Sequence, residues 1–254
     1  IAEQNTIGIA AGLAMSGKIV YVYSIIPFIT MRCFEQIRLD LAYNNANVKL
    51  VGVGAGFTYG SMGSSHHAIE DISIMRSIPN MTVLCPGDPF ETEELIKRSY
   101  EITGPVYIRL GKNGEPNINS DGTRVEIGKS IQITEGKDLA LISTSNTLEL
   151  AKQWVDEWKE EGISVQLISM PSMKPFDKNC IDELIAKKIP IFTIEEHNII
   201  GGLGSAVAEI IAESGQSMKF KRIGINDTFS HHIGDHNYQR EKFGLLKKPN
   251  FSNE

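Results

Sequence analysis

Four short segments of this chain carry side chains able to do chemistry. Glu3 stands beside Ile1 and Ala2, ahead of the small-residue run Ile7-Gly8-Ile9-Ala10-Ala11-Gly12-Leu13-Ala14. A carboxyl among apolar neighbours loses hydration, so its pKa rises and it can share a proton near neutrality. The plainer alternative is a first-turn acid meeting a helix dipole. The second segment is Ser64-Ser65-His66-His67-Ala68-Ile69-Glu70-Asp71, after Gly60-Ser61-Met62-Gly63. Its Gly and Ser residues predict a loop and Ala68 predicts a helix start. A histidine there can move protons or donate to substrate oxygens, or it can merely help cap the helix.

The third segment is Gly201-Gly202-Leu203-Gly204, following Glu195-Glu196-His197. Backbone N–H groups at such a turn can hold a phosphate. The spacing matches neither dinucleotide nor P-loop fingerprints, and close helix–sheet packing is the simpler reason for these glycines. The fourth is His231-His232-Ile233-Gly234-Asp235-His236, whose i, i+4 and i, i+5 imidazoles could meet at a metal. It contains a helix-breaking Gly and no H-E-x-x-H, so no metal ligands are assigned. Trp154 and Trp158, four residues apart, are expected to pack in a core or interface.

These residues need elements to hold them, and the chain alternates two patterns. Short runs rich in Val, Ile and Tyr predict strands at 19–23, 48–53, 81–84 and 106–109, then at 139–143, 165–169, 191–194 and 220–223. Stretches with apolar residues at i, i+3, i+4 and i+7 predict helices over 32–42, 68–78 and 92–100, then over 147–161, 178–187 and 204–213. Apolar strands separated by crossover helices imply parallel sheets covered on both faces. The turn-rich text from Lys112 to Thr123 predicts a boundary. The expected fold is α/β, with two tandem domains over 1–115 and 124–246, each a mostly parallel sheet with helices on both faces.

Composition narrows the function. Of 254 residues, 25 are Lys or Arg and 31 Asp or Glu, a formal net charge of −6, with no basic stripe for nucleic acid or an anionic membrane. Cys33, Cys85 and Cys180 form no C-x-x-C pair, which argues against a disulfide framework or zinc ribbon. No apolar run approaches the roughly 20 residues of a bilayer span, and the first residues lack a signal-peptide pattern. A cytoplasmic globular protein is expected.

Taken in order, several segments resemble the C-terminal half of the transketolase family of thiamine diphosphate enzymes. They are Ile1-Ala2-Glu3-Gln4-Asn5, Phe34-Glu35-Gln36-Ile37-Arg38, Ser65-His66-His67-Ala68-Ile69-Glu70-Asp71, Met75-Arg76-Ser77-Ile78-Pro79-Asn80-Met81-Thr82-Val83, Tyr107-Ile108-Arg109, and Glu195-Glu196-His197 leading into Gly201-Gly202-Leu203-Gly204. The resemblance runs through nearly the whole chain. It implies a pyrimidine-binding domain followed by the transketolase C-terminal domain, and it is nearest to separately encoded C-terminal subunits that work beside an N-terminal subunit.

The resemblance also implies residue roles. Glu3 matches the glutamate that contacts the cofactor's pyrimidine nitrogen and promotes the tautomer that activates the thiazolium carbon. Phe28 matches the aromatic ring that stacks on the pyrimidine. Positions of two further pocket aromatics fall at Ile25 and Met31. His66 matches a histidine that contacts substrate oxygens, and Arg109 an arginine that binds a substrate phosphate or carboxylate. A strand-end salt bridge is the structural alternative for Arg109.

Three departures qualify it. The Gly-Asp-Gly…Asn signature for diphosphate and magnesium is absent, so thiamine diphosphate and Mg2+ should be held mainly by a partner. A strand and helix usually precede the glutamate, so either the sequence is trimmed or that edge is supplied otherwise. A substrate-reading aspartate falls at Met62 and a second histidine at Gly54, which predicts altered sugar selectivity. The expected function is ketol transfer between a ketose and an aldose, sugars or sugar phosphates, in an α2β2 heterotetramer. The rivals are an E1 β subunit of a 2-oxo-acid dehydrogenase, a deoxyxylulose-phosphate synthase-like carboligase, and a catalytically silent scaffold.

Overall fold

The computed structural model describes residues 2–112, 114–120 and 122–250. Ile1 of the first motif, with Asn113 and Asp121 of the turn-rich segment, lies outside the described residues. In chain order, the first half contains α1 (Glu3–Met15), β1 (Val20–Ile25), the single turns α2 (Ile26–Ile29) and α3 (Phe34–Gln36), β2 (Val48–Val53), α4 (Asp71–Ser77), β3 (Thr82–Leu84), α5 (Pro89–Ser99) and β4 (Val106–Leu110). The second half contains β5 (Ile131–Gln132), β6 (Leu139–Ser143), α6 (Leu148–Glu160), β7 (Val165–Ser169), β8 (Ser172–Lys174), α7 (Lys178–Ala186), β9 (Ile191–Asn198), α8 (Leu203–Ser214), β10 (Phe220–Ile225) and α9 (His236–Lys242).

The strands form two five-stranded sheets, in the orders β1-β2-β4-β3-β8 and β10-β9-β6-β7-β5. Pairing is parallel except where β8 meets β3 and β5 meets β7. The fold is the expected α/β pair of mostly parallel sheets. Strand β8 follows the turn-rich segment in sequence yet joins the first sheet, so the second half of the chain reaches back across that boundary.

Alternate residues of each strand enter different cores, as the two-residue period of a strand requires. Tyr107 and Val83 face one cluster with Ile7, Ile72 and Met75, whereas Val106, Ile108 and Leu84 face another with Leu95 of α5. In the second sheet Ala140, Ile142 and Ile191 face α7 and α8, and Leu139, Leu141 and Phe192 face Trp154 and Trp158 of α6. Helices therefore cover both faces of both sheets. The largest cluster is continuous from Ile7 to Ile210, so the two halves share one core.

Three local elements depart from the periodicity. The helix expected over 32–42 is one α-turn followed by a π-helical stretch, Ile37–Tyr43. Ala68 does not open α4: it exchanges backbone bonds with Gly56 (2.9 and 3.0 Å), and the helix begins only at Asp71. The connector after β4 is tied down by Asp88, which caps α5 through Oδ1 and accepts the amides of Ile118 and Asn119 through Oδ2 at 2.9 and 2.7 Å. Among the described residues, no helix is long and apolar enough to cross a membrane.

Candidate active site

Parallel strands β1 and β2 lie side by side, and the loops leaving their carboxyl ends carry Phe28 and His66. The two rings meet edge to face, 5.1 Å between centroids. Arg32 lies over the Phe28 ring with its guanidinium carbon 4.5 Å from the centroid, and its Nη1 donates to Glu3 Oε2 at 2.9 Å. Glu3, Phe28 and His66 thus form one chain of contacts joined by Arg32. Tyr59 extends it, with its ring centroid 6.4 Å from that of His66 and 5.5 Å from Lys112 Nζ. Arg32 and Tyr59 were not singled out in the sequence, because no spacing rule links Arg32 to an acid 29 residues earlier.

Glu3 lies within the first turn of α1, with Ala2 at the cap position. Hydrogen bonds from backbone N–H and from Arg32 lower the pKa of its carboxyl, against lost hydration. This corrects the expectation of a raised pKa: cationic and N–H donors outweigh lost hydration. The hollow beside Glu3, about 140 Å³, is lined by Ala2, Thr6, Val22, Tyr23, Ser24 and Ile29. Ile29, rather than Ile25 or Met31, is what α2 contributes to it. Ile25 closes β1 opposite Val53, and Met31 follows α2; both are half-buried.

His66 ends a 3-10 turn over Ser64–His66, with Nδ1 3.0 Å from Ser65 Oγ. His67 is buried against Phe57, 5.0 Å between centroids, and neither histidine caps α4. Met62 is 54% exposed, in the 3-10 turn Gly60–Met62 just ahead of His66. Gly54 has φ +97, and a Cβ there would overlap the Tyr59 ring. The aromatic ring therefore fills the space above Gly54 that a larger residue would claim.

Arg109 stands apart from this group. It is 1% exposed, and its Nε donates to Asp71 Oδ2 at 2.9 Å. Nη1 reaches Ser145 Oγ (2.9 Å) and Asn146 Oδ1 (3.4 Å), and Nη2 reaches the carbonyls of Ala68 (2.9 Å) and Glu196 (3.1 Å). All five donors are engaged by protein, which is the geometry of the strand-end ion pair and leaves no fork for an incoming phosphate. Asp71 also accepts from the Tyr107 hydroxyl at 2.7 Å.

The glycine turn before α8 is filled by Glu195, whose carboxylate accepts the amides of Leu203 and Gly204 at 2.7 and 2.8 Å. A Cβ on Gly202 would overlap that carboxylate, so close packing is the reason for the glycine and a phosphate has no room. Burial, partly offset by those amides, raises Glu195 to about 7. Burial acts the same way on Glu196, but Arg240 and His236 overcome it and lower that carboxyl to about 2. His236 Nε2 is committed to Glu196 at 2.8 Å, and among the described residues no three His, Cys, Asp or Glu side chains gather as metal ligands. Trp154 and Trp158 pack edge to face in the second domain's core.

Comparison with known proteins identifies both halves of the chain. Residues 1–116 match the transketolase pyrimidine-binding domain and residues 128–245 the transketolase C-terminal domain. A transketolase C-terminal section of Methanocaldococcus jannaschii is 46% identical over 90% of this chain and 72% of its own length. An apulose-4-phosphate transketolase subunit from Actinobacillus succinogenes is 37% identical over 96% of this chain and 79% of that protein. A solved split-gene transketolase, described as an inactive β4 tetramer, superposes with a TM-score of 0.86 at 38% identity, covering 96% of this chain and 77% of that one. With relatives this similar along most of their length, the chain belongs to the transketolase family and carries its pyrimidine-binding and C-terminal domains.

Proposed function

We propose that this chain is the C-terminal subunit of a split, thiamine-diphosphate-dependent transketolase that moves a two-carbon ketol unit between a ketose and an aldose. It works with a separate N-terminal subunit, as an α2β2 heterotetramer in the cytoplasm. The observation that carries the reading is the convergence of Glu3, Phe28 and His66 at the carboxyl ends of β1 and β2, where open α/β sheets bind ligands.

The residues fit a flat, nitrogen-rich ring. Between the Phe28 face and the Glu3 carboxylate the structure already holds one planar N–H donor, the Arg32 guanidinium. Thiamine diphosphate, when bound, supplies a nucleophilic carbon that breaks and forms bonds beside a carbonyl. Glu3 would hold the ring nitrogen through its carboxylate, and Phe28 would orient the ring through its face. Ser65 Oγ lies 3.0 Å from His66 Nδ1; in the tautomer where the hydroxyl donates to Nδ1, the imidazole proton sits on Nε2 and can donate to a substrate oxygen. Met62, four residues before His66, offers an exposed thioether in place of a carboxylate, so a sugar hydroxyl meeting it would lack that acceptor. The diphosphate and Mg2+ fall to the partner, consistent with the absent signature.

The test is reconstitution of the chain with its N-terminal subunit, assayed for ketol transfer and weighed by native mass spectrometry. Glu3→Ala is expected to abolish turnover without changing the assembly. Normal turnover from Glu3→Ala overturns the assignment, and decarboxylation of a 2-oxo acid without ketol transfer favours the E1 rival.

A further inference from the structure

Arg32 stands where, on the reading just given, the cofactor's ring belongs. Its guanidinium carbon lies 4.5 Å above the Phe28 centroid while Nη1 donates to Glu3 Oε2 at 2.9 Å. One flat cation therefore covers the aromatic face and occupies the carboxylate together. Both contacts are ones that a nitrogen heterocycle stacked on Phe28 would make, and two planar groups cannot share one ring face. The Arg32 side chain is 46% exposed, against 12% for Glu3, so the head lies at the mouth of the site on a flexible stem that can swing into water.

We propose that Arg32 is a displaceable plug: in the lone chain its guanidinium holds the seat between Glu3 and Phe28, and an entering pyrimidine must expel it. The proposal rests on the thiamine reading and deepens it. The consequence is thermodynamic. A ring that binds only the swung-out conformer has its affinity reduced by the fraction of chains in that conformer. A partly exposed ion pair combined with a cation–π contact reduces it by about tenfold. The lone chain is thereby kept with Glu3 paired, and the ring gains full affinity only when further contacts, such as those of the partner, add to its hold.

The test uses the full chain and thiamine, which carries the aminopyrimidine without the diphosphate, followed by ligand-observed NMR. Arg32→Gln removes the cation and most of the stack at a half-exposed position, and it is expected to bind thiamine about tenfold tighter than the wild type. Arg32→Lys keeps the charge and loses the planar stack, so it is expected to lie between them. In the wild type, the Arg32 Nε–H signal is expected to shift with the same saturation constant as thiamine. Equal or weaker binding by Arg32→Gln, with the wild type binding, overturns the plug and leaves the thiamine reading standing. Binding by none of the three chains overturns both. If Arg32→Gln fails to fold, the Lys variant and the Nε–H signal still decide.

Discussion

The carboxylates of Glu195 and Glu196, adjacent on β9, point to opposite sides of the second sheet and hold two different segments. Glu195 accepts the first amides of α8, whereas Glu196 accepts from the Phe57 amide at 2.6 Å and pairs with His236 and Arg240 of α9. One acid closes a helix inside its own domain. The other ties the loop after β2, which leads to His66, to the C-terminal helix. The two-residue strand period makes this division possible, and the charge balance around each acid makes them titrate in opposite directions.

Breaking the Glu196 pair is therefore expected to be costly. Glu196→Gln leaves Arg240 buried with a weakened partner, and a loss of about 3 kcal/mol is expected in urea denaturation at pH 7. The pH dependence has a definite sign. Because the folded carboxyl is lowered to about 2 from 4.5, its stabilisation is present above pH 4.5 and lost as pH falls towards 2. Glu196→Gln should flatten that part of the acid limb.

Glu91 should do the reverse. It is fully buried at the start of α5, accepts from the Gly87 amide at 2.6 Å, and is raised to about 7 chiefly by burial. An acid raised in the folded state favours folding below its unfolded value and loses that contribution as pH rises through about 7. Urea midpoints of wild type and Glu91→Gln at pH 5 and pH 8 check this. The wild type should lose more stability over that interval than the variant.

Asp88 couples α5 to the connector. Asp88→Ala removes a helix cap of about 1 kcal/mol together with the acceptor for Ile118 and Asn119. Limited proteolysis should cut the variant faster between residues 114 and 120 than it cuts the wild type. Unchanged cutting there would mean that the bonds to Asp88 do not hold the connector.

Arg109→Lys separates a structural hub from a ligand arm. Lysine supplies three donors to a site that uses five, so a loss of about 3 kcal/mol or more is expected, for a buried charge left without its partners. A stably folded variant with only a raised KM for a phosphorylated sugar would instead assign Arg109 to substrate.

The glycines divide sharply. A Cβ on Gly8 or Gly12 of α1 meets nothing, so Gly12→Ala should stabilise the isolated chain by up to about 1 kcal/mol. Gly56 has φ +59 and abuts Glu196, so Gly56→Ala should destabilise by about 2 kcal/mol. Thermal melts of the two variants provide the contrast.

The sequence by itself determined the alternating elements, the α/β class and the family, because long apolar strands and amphipathic helices announce their period locally. Strands β2, β6 and β7 begin and end where their Val, Ile and Leu runs do. The short strands β5 and β8 and helix α9 carried no such period, and they exist because neighbouring elements supply their partners. Glu3, Phe28 and His66 were visible as residue types in a familiar order. That Arg32 pairs with Glu3 and joins it to Phe28, and that Arg109 is spent on Asp71 and four other acceptors, were decided by tertiary structure alone. Hydration, charge and donor count at a site are set by groups remote in the chain, and no local pattern encodes which of them will meet.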